Sequence, residues 1–113
     1  MPPWRIAFDP RGRIGRATFW RYAVFGVGGI ELLLQALFEI AQLRPTLASA
    51  LVNALLAWPV IAIHAKRWHD RDRSAWWVAW LLVPAIGVVY TLVAAGLRRG
   101  TPGPNRFGPE PDR

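Results

Sequence analysis

The chain has 113 residues, 53% of them hydrophobic and 19% charged, with 14 Lys or Arg against 7 Asp or Glu. That length fits one domain rather than two, and so high an apolar share does not belong to a disordered chain. Seven Trp accompany no Cys, which excludes disulfides, thiolate metal sites and Cys nucleophiles. A formal charge of +7 suits either nucleic acid or an anionic membrane, and the placement of the charges has to separate the two.

The first 18 residues carry Arg5, Arg11, Arg13 and Arg16 among Pro2, Pro3, Pro10, Gly12 and Gly15. They read as an irregular basic arm. The basic stretch is too long for a cleavable signal peptide, and no small-residue cleavage pattern follows. Thr18 is a candidate cap for the helix after it.

Charge spacing then divides the chain into three windows. Between Arg21 and Arg44 lie 22 residues whose only charges are Glu31 and Glu39; between Arg44 and Lys66 lie 21 with none, His64 being neutral; between Arg73 and Arg98 lie 24 with none. About 20 apolar residues cross the roughly 30 Å of a bilayer's hydrocarbon. The reading is an all-α, polytopic integral membrane protein. It is one membrane domain over residues 1–113, with three transmembrane helices near 19–43, 47–65 and 75–97 and a Gly/Pro-rich C-terminal tail. A soluble three-helix bundle would need a wet face on each helix, and the third window is apolar all round.

In the first window Glu31, Gln35, Glu39 and Gln42 recur at spacings of four, four and three, which places them on one helix face. A carboxylate at bilayer depth is costly unless paired, protonated or in a polar cavity. The face is either a polar seam against a partner or water path, or part of a tilted amphipathic helix whose Glu39 end lies in the interface. Gly26, Gly28 and Gly29 would let another helix approach closely. In the second window Pro45 sits near the helix start, and Pro59 removes one helix hydrogen bond and predicts a kink. Ser49 and Asn53, one turn apart, face either the bundle or the headgroups. In the third, Pro84 and Gly87 interrupt the run from Trp76 to Leu97. Three crossings are the preferred reading, with a re-entrant third segment as the alternative. Lys and Arg counts place the N-terminal arm and the second connection in the cytoplasm, and leave the first connection, with Arg44 alone, outside.

Residues 64–77 form the densest polar stretch. Lys66, Arg67, Arg71 and Arg73 beside a helix start suit a lipid phosphate, and His69, Asp70 and Asp72 share the same candidate lipid- or partner-binding block. Ser74 is positioned to cap the next helix, with Trp76 and Trp77 as interface anchors. His69 beside Asp70 has the form of a base with its orienting acid, but spacing forces no nucleophile close to it. His64, His69, Asp70 and Asp72 match no compact metal pattern, and their basic neighbours repel a cation. No catalytic residue, metal or cofactor is assigned. No reading helix or stacking platform supports nucleic-acid binding.

Three ordered blocks resemble the bacterial family of small inner-membrane proteins known as the domain of unknown function 805. The first is Phe8, Gly12-Arg13-Ile14, Arg16 and Phe19-Trp20; the second is Lys66 to Trp77; the third is Gly100 to Pro109, with Asn105, Phe107 and Gly108 at the family's positions. The Pro84 to Gly87 break also matches. Departures are Lys66 for an Arg, Trp68 for a Leu, and Ala75 for a Gly, the last weakening any need for positive φ at that turn. The resemblance covers residues 8–111 and implies a small helical membrane protein of the bacterial inner membrane, without a reaction, substrate or cofactor. The leading expectation is a non-enzymatic protein that holds anionic phospholipid or a membrane partner through the basic block, with self-association through Gly26 and Gly29 possible. A pore or transporter subunit using the polar face of the first helix is the second reading, and a lipid-modifying enzyme the third.

Overall fold

The computed structural model describes residues 1–42 and 47–111, so Arg44 and Pro45 lie outside the described residues. The elements are α1 (Pro3–Phe8), α2 (Arg16–Ile40), α3 (Leu47–Asp70), a 3₁₀ helix (Ala75–Leu82) and α4 (Ile86–Leu97). β pairing among the described residues is the isolated bridge between Asn105 and Gly108.

The N-terminal arm is not irregular throughout. Pro3 opens α1 at the position where a missing N–H costs no helix bond. Ile6 is buried while Trp4 and Phe8 are exposed, and the Phe8 carbonyl accepts the Trp58 indole N–H at 2.8 Å. These contacts lay α1 against α3. Helix α2 starts at Arg16 rather than 19, from an extended Gly15, so Thr18 lies inside the first turn and caps nothing. Residues Trp20–Val27 wind as a π-helix before α geometry resumes at Gly28. The helix ends at Ile40, which puts Gln42 in a turn at φ 56 and off the face shared by Glu31, Gln35 and Glu39. Among the described residues, the expected close helix approach at Gly26, Gly28 and Gly29 is not made. The neighbours a Cβ would meet at the first two belong to α2 itself, and Gly29 has none within 4 Å.

Among the described residues, helices α2 and α3 are the two that are long and apolar enough to cross a membrane. Helix α3 runs five residues past the expected end at 65, with Pro59 inside it. It continues because the charged residues of its last turn are paired within the protein instead of solvated.

The third window is not one helix over 75–97. It breaks into the 3₁₀ helix and α4, with Val83 extended and Ala85 at φ 59 between them. Pro84 explains the break, because a residue before proline is pushed out of the helical region. Gly87 explains the close return: a Cβ there would collide with the Trp80 carbonyl oxygen. Ala75 follows the turn that ends α3, and the Arg98 carbonyl accepts from Arg67 Nη2 at 2.5 Å. Both ends of this hairpin therefore lie at the same end of α3.

The apolar core collects there too. Ile14, Phe19, Ala23, Ile63, Trp68, Ala94 and Ala95 form one buried cluster, and Trp68 packs on Trp77 and Tyr90 with ring centroids 5.5 and 6.2 Å away. Along the far halves of α2 and α3, Leu32, Leu37, Ile40, Leu47 and Leu55 are exposed. Large apolar side chains exposed along a helix shaft are the pattern of helices whose solvent is lipid.

Gly87→Val should reduce stability by about 2 kcal/mol or more, because overpacking against backbone has no side chain to yield. Gly29→Val, into open space, should stay within about 0.5 kcal/mol of the parent. Thermal melts in detergent followed by Trp fluorescence would measure both.

Candidate functional site: a buried charge junction

The last turn of α3 presents Lys66, Arg67, His69 and Asp70 to the inside of the protein. Lys66, Arg67 and Asp70 have no exposed surface. Asp70 Oδ1 accepts from Arg13 Nε at 3.1 Å and Nη2 at 2.9 Å, and Oδ2 pairs with Arg67 Nη1. The Thr101 N–H donates to the Asp70 carbonyl at 2.7 Å. Gly100 packs so closely on this carboxylate that a Cβ would overlap it. Arg13 also donates to the carbonyls of Thr101 at 2.6 Å, Gly103 at 2.7 Å and Gly108 at 3.2 Å. One carboxylate thus joins the arm, α3 and the C-terminal tail.

The surplus positive charge is met by a helix terminus. The last carbonyls of a helix lack intrahelical donors and carry about half a negative charge. In α4 the Ala94 carbonyl accepts from Arg71, Ala95 from Arg67, Gly96 from the Trp20 indole at 2.7 Å, and Leu97 from Arg16 at 3.1 Å. Lys66 does the same for α1, donating to the carbonyls of Arg5 and Ile6. Lys66 and Arg67 were expected among the lipid-facing cations. They are instead helix-terminus caps in the interior, out of reach of a phosphate at the surface.

His69 is held by the arm and the tail: its Nδ1 lies 2.9 Å from the Gly12 carbonyl, and the ring stacks on Phe107 with centroids 4.0 Å apart and planes 7° apart. Asn105 braces the same place. Its side-chain amide donates to the His69 carbonyl at 2.9 Å, and its Oδ1 accepts the Phe107 N–H at 2.9 Å. Gly12, at φ 97, supplies the left-handed turn that aims its carbonyl there. The family-motif positions Gly12, Arg13, Arg16, Trp20, Asn105, Phe107 and Gly108 all make contacts at this junction.

The rest of the block faces outward. Asp72 pairs with Arg106 at 3.3 Å and holds the positive φ, 58, that Ala75 does not need. The Arg73 guanidinium lies over the Trp77 ring at 4.6 Å, a cation–π contact. Burial, then the neighbouring Arg98 and Arg73 charges, push Arg71 below its ordinary pKa. Ser74 occupies the N-cap position without a side-chain cap bond, and Trp76 is exposed while Trp77 is half-buried. On the arm, hydrogen bonds from the Arg11 side chain and backbone hold Asp9 well below the usual carboxylate range. Away from the junction, Gln35 donates to Glu31 at 2.9 Å, and Gln35, Glu39 and Gln42 are exposed. Among the described residues no group of three or more His, Asp or Glu could hold a metal ion.

Sequence reasoning marked Arg13, Arg16 and Trp20 only as motif positions and missed their roles. Gly100 and Thr101 were not singled out as partners of Asp70. The recurring motif was the one available signal, because the partners are up to 95 residues apart.

Asp70→Asn should destabilise the protein by on the order of 3–5 kcal/mol, since it leaves two buried guanidinium groups without their counter-charge. His69→Ala, which loses a stack and a hydrogen bond, should cost about 1–2 kcal/mol. Denaturant titration in detergent would rank the two.

The family described as "Protein of unknown function (DUF805)" matches residues 7–109. The chain is 34% identical over 104 residues to Inner membrane protein YhaH of Escherichia coli strain K12, covering 89% of this chain and 85% of that one. It is 32% identical over 102 residues to Inner membrane protein YhaI of the same strain, covering 88% and 83%. It is 31% identical over 131 aligned positions to Uncharacterized protein YiiR, covering 93% and 86%. No solved structure matches. The two apolar helices, the buried charge junction at their shared end and this match over residues 7–109 identify the chain as a small helical membrane protein of the DUF805 family.

Proposed function

We propose that this protein is a non-enzymatic component of the bacterial inner membrane that gathers anionic phospholipid headgroups around its charge junction. The observation that carries this reading is the division of the cations. Lys66 and Arg67 are used up inside, whereas Arg16, Arg21, Arg73, Arg98 and Arg99 are exposed around the same end of the molecule. Exposed Trp76 stands beside them, and indole rings favour the headgroup level. A belt of Arg at that level attracts anionic lipid by about 1 kcal/mol per residue. Within residues 64–77, Arg73 is the exposed cation, while Arg71 is half-buried and bonded to the Ala94 carbonyl.

The same geometry supports two crossings, by α2 and α3, with residues 75–97 as a re-entrant hairpin. Helices α2 and α3, at 25 and 24 residues, extend about 36 Å, enough for about 30 Å of hydrocarbon. The 12 residues of α4 extend about 18 Å and return the chain to the face it left. Positive-inside counting makes that face cytoplasmic, with both the arm and the tail on it.

Single Cys residues at Arg11, Ala41 and Pro104, treated with an impermeant reagent on spheroplasts, should label at Ala41 alone. Labelling at Pro104 would establish a third crossing, and labelling at Arg11 would reverse the orientation. For the lipid reading, native mass spectrometry with phosphatidylglycerol should show Arg73→Gln/Arg99→Gln retaining several-fold fewer lipid copies than the parent, at matched folding. Equal retention would defeat it.

A further inference from the structure

Between α2, α3 and the 3₁₀ helix lies a groove of about 800 Å³, a size typical of small-molecule sites. Small residues open it: Gly28 on α2, Ala57 on α3 and Ala79 on the 3₁₀ helix. Its described lining carries one carboxylate, Glu31, and one amide side chain, Asn53. Everything else along it is apolar apart from the Trp76 indole, which lines it nearer the junction.

Glu31 lies near the middle of α2, ten residues and so about 15 Å along the helix from Arg21. It forms no ion pair among the described residues; its partner is the neutral Gln35 amide at 2.9 Å. A carboxylate at that depth is costly unless it is paired, protonated or in a polar cavity, and a counter-charge would pair it. The junction's buried cations, Arg13 and Arg67, do not supply one, because they are held at the other end by Asp70 and the α4 carbonyls. An apolar trough with a single acid in its wall has the complement of a bulky hydrophobic cation, whose body fills the trough and whose charge needs no directional donor.

We infer that this groove is a binding site for a hydrophobic organic cation, with Glu31 as its counter-ion. The inference rests on α2 and α3 spanning the membrane, which the Cys labelling tests separately, and it is independent of the lipid belt. Two ions of nearly equal shape and opposite charge, tetraphenylphosphonium and tetraphenylborate, probe it directly.

Titrated into the protein in neutral-lipid nanodiscs, with empty nanodiscs as reference, tetraphenylphosphonium should bind saturably at one per chain. Tetraphenylborate should bind at least about tenfold more weakly. Glu31→Gln should weaken the cation by about tenfold and erase the preference between the two ions, while Glu31→Asp should keep the preference. Ala57→Leu, which narrows the groove and leaves Glu31 in place, should weaken the cation as well, so that the test survives if Glu31→Gln does not fold. Cation binding that ignores both Glu31→Gln and Ala57→Leu would overturn the proposal, as would equal affinity for the two ions in the parent. Asn53→Cys chains that cross-link to one another, with no cation binding by the uncross-linked parent, would assign the groove to a second copy of this chain and overturn it too.

Discussion

The carboxylate of Asp70, without exposed surface and met by Arg13 from the arm and Arg67 from its own helix, is the constraint on which the rest of the molecule depends. Two guanidinium groups and one carboxylate would be ruinous in an apolar interior if left to themselves. They are tolerable because each remaining donor finds a backbone carbonyl, on Ile14, Ala95, Arg98, Thr101, Gly103 and Gly108. Such a network adds little net stability over a well-packed apolar core, yet breaking it is costly. What it supplies is register: the arm and tail can close on α3 in one way.

The second condition is set by α4. The last carbonyls of a helix lack intrahelical donors, and the π-wound turn Leu92–Leu97 leaves a full set to be met. Arg16 and Trp20 from α2, Arg67 from α3 and Arg71 from the turn after it meet them. This is why the hairpin returns to the junction, and why the cations there are mostly Arg, whose planar fork can serve an acid and several carbonyls at once. The single Lys of the junction has the simpler task of capping the short helix α1.

Polar groups are therefore concentrated at one end, and the shafts of α2 and α3 project from it with apolar side chains outward. The groove lies between those shafts and the 3₁₀ helix. Glu31 is the one carboxylate in the groove's described lining. Its isolation from the junction makes it a separate chemical site and not an extension of the charged block.

The helical class, the long apolar stretches, the break at Pro84 and the location of the charged block were all legible in the sequence, because each is a local property of spacing, charge and backbone chemistry. Even the convergence of the arm, the centre and the tail left a trace in three ordered motifs. The direction in which the charges face was not legible. A run such as Lys66 to Arg73 reads as a solvated, lipid-facing loop until Arg13, 57 residues before Asp70, and the carbonyls of α4, about 30 residues after Arg67, arrive to enclose it. Local pattern also could not choose between a third crossing and a hairpin, since Pro84 permits both. What only the tertiary structure decided is that residues 75–97 break into two short helices, closely packed where a Cβ at position 87 would meet the Trp80 carbonyl, and that the α4 terminus finds its donors at the far-separated residues of the junction.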